Sequence, residues 1–324
     1  MAFQVIHIKL PKAQEKKTKR VAKIMFRLLT MLSKDLRTFL ESRGLLKGKS
    51  KKIPKDCKEY LYALKKLTHL LNGNGKNKAQ IIGILMDAIR GRNGICHHNL
   101  PDVSKNWKIY LKSWMEVCIL IGANDTATKI KRAILFLKKT SSVPRLKSDA
   151  SANSIFRKLE KNSHLTNQWT ATKEDAAIFL ANVFFDLSMD IYSPELEKFL
   201  NIHGHQPTTS VIDCHAMTEI IKIKFTAADF RTPYGGTHFD MSHVENAADG
   251  RHSACHDRYT KILSNWESYM DSMIYVMKGM ASRRAARIKI KTIRRQLLRA
   301  RDRARRQVTK SINKKANSSK KARK

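Results

Sequence analysis

Apolar residues recur at three- and four-residue spacing along most of this chain, the pattern of amphipathic helices with one buried face. Val21, Ile24, Met25, Leu28, Leu32, Leu36, Phe39 and Leu40 form a first stripe. Tyr60, Leu61, Leu64, Leu67, Leu70 and Leu71 form a second, stopped by the Asn-Gly-Asn-Gly run at 72–75. A third stripe spans 79–89, a fourth runs from Trp107 to Ile121 and ends at Gly122, and a short fifth covers 130–137. Residues 140–154 are polar and Ser-rich with one proline, and read as a linker.

The plan then recurs. Ala177, Leu180, Val183, Phe184, Leu187 and Ile191 stand as the counterpart of the first stripe, 214–225 as that of the second and 266–280 as that of the fourth. Residues 231–236, with Pro233 and two glycines, read as a longer loop. Ile293, Leu297, Ala300, Ala304, Val308 and Ile312 keep helical spacing among many arginines, and 313–324 holds too little apolar surface to be expected to order.

The recurrence extends to identities. Gly91-Arg92-Asn93-Gly94-Ile95-Cys96-His97 is matched 159 residues later by Gly250-Arg251-His252-Ser253-Ala254-Cys255-His256. The register continues without a gap through Asn106-Trp107/Asn265-Trp266, Tyr110/Tyr269, Ser113/Ser272 and Val117/Val276. That makes nine identities in 27 positions, where ordinary composition gives about two. Phe26/Phe185 and Leu28/Leu187 fall at the same spacing. The chain reads as a duplication, and Arg-x4-His is what both copies hold.

Composition changes the picture through charge. The 324 residues carry a net +37, divided as about +24 over 1–147, −5 over 148–280 and +18 over 281–324. Two strongly cationic segments flank a slightly acidic one. Charge of this density concentrates polyanions and supports salt-dependent binding to phosphates. Nucleic acid is therefore the expected partner, and a nuclear or nucleolar address is a further reading of the lysine-rich end. Five cysteines show no disulfide-framework spacing, as expected of a reducing compartment. The first twenty residues hold no apolar core of a secretory signal, and the longest apolar stretch, 178–185, is too short to cross a bilayer. A soluble intracellular protein without a membrane partner is expected.

In Arg-x4-His, a guanidinium offers a planar fork of donors for phosphate oxygens, and an imidazole titrates near neutrality and moves protons. A five-residue step on an ideal helix separates the two side chains by about 140°. They therefore converge only if the motif sits at a helix end, and a glycine precedes the arginine in both copies. Such a pair suits cleavage of RNA by its own 2′-hydroxyl, the His transferring a proton and the Arg stabilising charge on phosphorus. No cofactor or metal is called for. His97, His98, Cys96, Cys255 and His256 lack the paired spacing of a zinc site, the 72–75 turn lacks the Lys-Ser/Thr of a phosphate loop, and no Ser-His-Asp arrangement stands out. Trp107 and Trp266 lie on the apolar stripes and are expected in the core.

Short helical units with Arg-polar-x3-His before an amphipathic last helix resemble the HEPN superfamily (higher eukaryote and prokaryote nucleotide-binding). Arg92-Asn93 through His97-His98 is similar to the commonest form of its motif, Arg251-His252 through His256 to a variant, and 111–122 to the closing helix of animal HEPN domains. The likeness covers about 15–140 and 155–295, and is specific only near the motif. The resemblance implies helical bundles that dimerise with facing motifs. Many members are metal-independent endoribonucleases, and others bind RNA or proteins without cutting. It implies Arg92 and His97 facing Arg251 and His256 as catalytic residues, with Asn93, His98 and His252 in support.

The reading is therefore an all-α protein of two similar helical bundles forming a pseudo-symmetric intramolecular dimer, with further self-association open. Its expected segments are 1–139, a 140–154 linker, 155–281, and a basic helix with a disordered tail over 282–324. The expected activity is endoribonucleolytic, with a non-catalytic RNA-binding or scaffold protein of the same fold as the alternative.

Overall fold

The computed structural model describes residues 10–46, 56–71, 75–141, 172–205, 214–232 and 238–321, and among them every regular element is helical. The protein is all-α, as its periodicity indicates. The first half contains α1 (Lys12–Ser42), α2 (Cys57–Lys66), α3 (Lys78–Cys96), α4 (Leu100–Leu120) and α5 (Asn124–Ser141). The second contains α6 (Lys173–Leu187), α7 (Ser193–Ile202), α8 (Cys214–Lys224), α9 (Ser242–Cys255), α10 (Tyr259–Gly279) and α11 (Arg284–Lys321).

Helix starts follow local chemistry. Asp56 accepts the Glu59 amide at the head of α2, Asn77 and Gln80 form a reciprocal box before α3, and Thr172 with Asp175 does the same before α6. Asn99 accepts the Asp102 amide at the head of α4, which tolerates Pro101 because first-turn amides have no partner within the helix.

Two helical expectations need correction. The stripe from Ala177 to Ile191 is not a single α-helix, since α6 ends at Leu187. A wide π turn, Ser188–Tyr192, leads into α7, whose Pro194 sits in the first turn where a missing amide costs no helix bond. Disorder is also not what is found over 313–321, since α11 continues through Lys321, while 322–324 lie outside the described residues. Lysine and alanine are good helix formers even without a core-facing stripe. In the first half, α5 runs to Ser141, into the expected 140–154 linker, while 142–154 and 233–236 of the expected loop lie outside the described residues. One helical stretch, Lys173–Ile202, is long and apolar enough to cross a membrane, but 67% of its most apolar window is buried inside the protein.

Positions 159 apart adopt the same structure. Helices α3 and α9 end at Cys96 and Cys255, and α4 and α10 are each 21 residues long. His98 (φ 51°) and Asp257 (φ 52°) both occupy the left-handed region, as do Gly122 (φ 80°) and Ala281 (φ 51°). The repeated glycines admit a close helix crossing. A Cβ at Gly91 would lie 2.6 Å from Tyr110 Cβ, and one at Gly250 would lie 2.9 Å from Tyr269 Cβ. Trp107 and Trp266 are buried, so the identities around the motif largely record the α3–α4 and α9–α10 packing.

The halves meet along α1 and α6, which run antiparallel. Phe26 stacks on Phe185 with ring centres 3.9 Å apart. Around that contact Lys23 pairs with Asp190, Arg27 with Asp186 at 2.9 Å, and Arg37 with Glu174 at 2.6 Å. The cationic first half thus sets its basic α1 against acidic positions of α6.

Candidate functional site

The two Arg-x4-His motifs lie at the C-terminal ends of α3 and α9, and these ends come together at the junction of the halves. Each arginine sits in the last helical turns, and each histidine is the first residue beyond the helix. The partners are not those that one motif alone suggests. Arg92 Nη2 donates to the Cys255 carbonyl at 2.7 Å and to Asp56 Oδ2 at 3.2 Å, and lies 3.5 Å from His256 Nδ1. The arginine of the first copy therefore meets the histidine of the second.

Asp56, from the N-cap of α2, joins them. Its Oδ2 lies 2.6 Å from His256 Nδ1 and its Oδ1 accepts the Glu59 amide at 2.9 Å. Burial opposes ionisation of Asp56, but His256, the Glu59 amide and Arg92 outweigh it and hold the carboxyl below its usual range. An ionised Asp56 favours the tautomer with the proton on His256 Nδ1, which leaves Nε2 as a base.

The sequence-predicted residues divide by exposure. Arg92 is 1% exposed and Arg251 is 3% exposed, so both guanidiniums are interior. His97 is exposed, and the His256 side chain retains 31% of its surface. Asn93 is half-buried, its side-chain oxygen 3.5 Å from Arg92 Nη1. His98 is buried, its ring edge-on to Phe185 of the other half at 5.2 Å. His252 lies 4.2 Å from the His256 ring and 6.0 Å from that of His215. Burial pushes His252 down to about 4, reinforced by His256, Arg258 and His215.

Cys96 and Cys255 face each other across the junction. The Cys96 thiol donates to the Cys255 carbonyl at 3.7 Å, and the Cys255 thiol to the Cys96 carbonyl at 3.8 Å. Next to them Asp257 accepts Ser33 Oγ at 2.5 Å, the Cys57 amide at 2.9 Å and Tyr259 Oη at 2.8 Å, fastening the second motif's loop to α1 and α2 of the first half.

Asp56, Cys57, Ser33 and Asp257 did not emerge from the sequence. One signal does exist: Asp56-Cys57 before α2 is echoed by Asp213-Cys214 at α8. The echo is spaced by 157 residues rather than 159, so it falls out of the motif's register. Asp213 lies outside the described residues. Among the described residues no group of three or more His, Cys, Asp or Glu is arranged to hold a metal ion.

No family model, curated protein or solved structure matches the chain. The class defined by fold and site is therefore an all-α protein with a buried Arg–Asp–His cluster shared between its two halves.

Proposed function

We propose that this chain is a tandem HEPN-like protein whose halves form a pseudo-symmetric intramolecular dimer, and that the junction is a metal-independent endoribonuclease site. The observation that carries the reading is the Asp56–His256 contact of 2.6 Å with Arg92 beside it, assembled from both halves. A carboxylate behind Nδ1 orients an imidazole whose other nitrogen can take the proton of a 2′-hydroxyl. The exposed His97, from the facing motif, supplies the acid for the leaving 5′-oxygen. Arg92 and Arg251 are too buried to grip phosphate directly and act as positioning residues. Attraction of the RNA falls to the lysines and arginines of the first half and of α11.

The test is incubation of the full chain with end-labelled RNA in EDTA. Fragments ending in 2′,3′-cyclic phosphate are expected. His256→Ala and His97→Ala should each lower the rate at least about a hundredfold with RNA affinity retained, and Asp56→Asn should lower kcat more than it raises KM. Undiminished cutting by both histidine variants would overturn the mechanism.

The burial of both arginines favours a second reading, a non-catalytic RNA-binding protein that keeps the motif as an internal brace. RNA retention with no cyclic-phosphate product at any pH decides for it.

A further inference from the structure

Cys96 and Cys255 are the equivalent cysteines of the repeat, and each directs its thiol at the other's backbone carbonyl, at 3.7 and 3.8 Å. Both are buried and free, so in the reduced protein the two halves touch through a thiol pair with no covalent bond. The reciprocal contacts bring the two side chains together across the junction, the proximity that a disulfide needs.

The surroundings favour reaction at one sulfur. The close Cys96 side chain lowers the Cys255 thiol, with burial opposing and the interior guanidiniums of Arg251 and Arg92 reinforcing it, while Cys96 itself is raised. Two interior cations beside a close pair of thiols favour loss of one proton, and the second sulfur is placed to resolve the first once it is oxidised.

We propose that Cys96 and Cys255 form a disulfide between the two halves when the protein meets a small peroxide. The Cys255 thiolate attacks one peroxide oxygen, the O–O bond breaks, and a sulfenic acid forms as hydroxide departs. The Cys96 sulfur then attacks the sulfenic sulfur, the S–S bond forms, and the departing hydroxide takes the Cys96 proton as water. Two thiols are oxidised, one hydrogen peroxide is reduced, and two waters result. The bond joins the residue whose carbonyl Arg92 holds to the last residue of α3, so it locks the motifs against each other. Nothing in the step depends on RNA.

The experiment treats the reduced full chain with a few equivalents of hydrogen peroxide, blocks residual thiols with iodoacetamide, and maps peptides without reductant. The expected product has lost two hydrogens in intact mass, links the Cys96 and Cys255 peptides as the dominant species, melts at higher temperature and reverts in dithiothreitol. Cys96→Ser or Cys255→Ser should abolish the link and leave a sulfenic acid or an alkylated thiol at the remaining cysteine. Should either variant misfold, the wild-type map decides alone. Oxygen addition without cross-linking, or a dominant link through Cys57, Cys118 or Cys214, overturns the proposal.

Discussion

At the scale of single residues, the decisive contrast is between groups that face water and groups that do not. The duplication makes Arg92, His97, Arg251 and His256 readable as one set, yet burial splits it into interior arginines and solvent-reaching histidines. Spacing alone carries no information on that split, because both side chains are polar and either can be internal when partnered. Asp56 is invisible for a different reason. Its role depends on α2 bringing an N-cap to the end of α9, a long-range contact with only the Asp-Cys echo to mark it. His252 gives this cluster a pH signature. Its folded pKa of about 4 lies below the ordinary 6.5, owing first to burial and then to His256, Arg258 and His215, with Asp249 opposing. Above pH 6.5 both folded and unfolded chains hold it neutral and it adds no pH dependence. Between 6.5 and 4 the unfolded chain binds the proton and the folded one does not, so stability falls as pH falls. His252→Gln should remove that part of the decline, seen as a smaller drop in urea midpoint across this window, and the His252 ring should titrate near 4 by NMR. A ring titrating near its ordinary value would contradict the burial argument.

At the scale of helices, periodicity located nearly every element, because a stripe at 3.6-residue spacing has few other uses in a chain poor in Gly and Pro. It located neither α7, which resumes after the π turn with Pro194 in its first turn, nor α9, the helix that carries the second motif. It also understated α1, whose first turns carry helix-forming Lys, Ala, Gln and Glu but little apolar surface. What the stripes do not contain is which helices pair. Here charge decides: along α1, Lys23 faces Asp190 of the π turn, and Arg27 and Arg37 face Asp186 and Glu174 of α6, on both sides of the Phe26–Phe185 stack. A pairing of two first halves would set α1 against α1 and bring these cations together, so the acidic second half specifies the partner. Asp186 is the informative member, nearly buried where Arg27 is partly exposed. Asp186→Arg should cost about 3 kcal/mol, the lower end for a broken interior pair because Arg27 can reach water. The swap Arg27→Asp with Asp186→Arg should recover more than half of that loss in a double-mutant cycle followed by urea unfolding. A double variant no better than the sum of its singles would show that charge does not choose this pairing.

At the scale of the whole molecule, the question is where polyanion attraction acts relative to the junction. Helix α11 runs antiparallel to α10, with Arg294 on Asp271 at 2.7 Å, Arg301 bound to Glu267, and the Arg301 guanidinium 5.8 Å from the Trp266 ring centre. Among its described side chains, the buried apolar anchors Ile290, Ile293, Leu297 and Ala300 all precede Asp302. At about 1.5 Å per residue the 38-residue α11 is roughly 57 Å long against roughly 32 Å for the 21-residue α10. It therefore overshoots the N-terminal end of α10, the end at which the Cys255–His256 junction lies. The last 22 residues, 303–324, hold ten Lys or Arg and no acidic residue. On the proposed function this segment gathers single-stranded RNA beside the site. A chain ending at Asp302 should keep its melting temperature, since Ile290, Ile293, Leu297 and Ala300 are all retained. Its affinity for poly-uridine should drop, and the plot of log affinity against log salt should become shallower by roughly 3, the contribution of four to five lost phosphate contacts at about 0.7 each. A slope unchanged by the truncation would place RNA attraction on the first half, with its charge of about +24, and on the basic residues of α11 before Asp302.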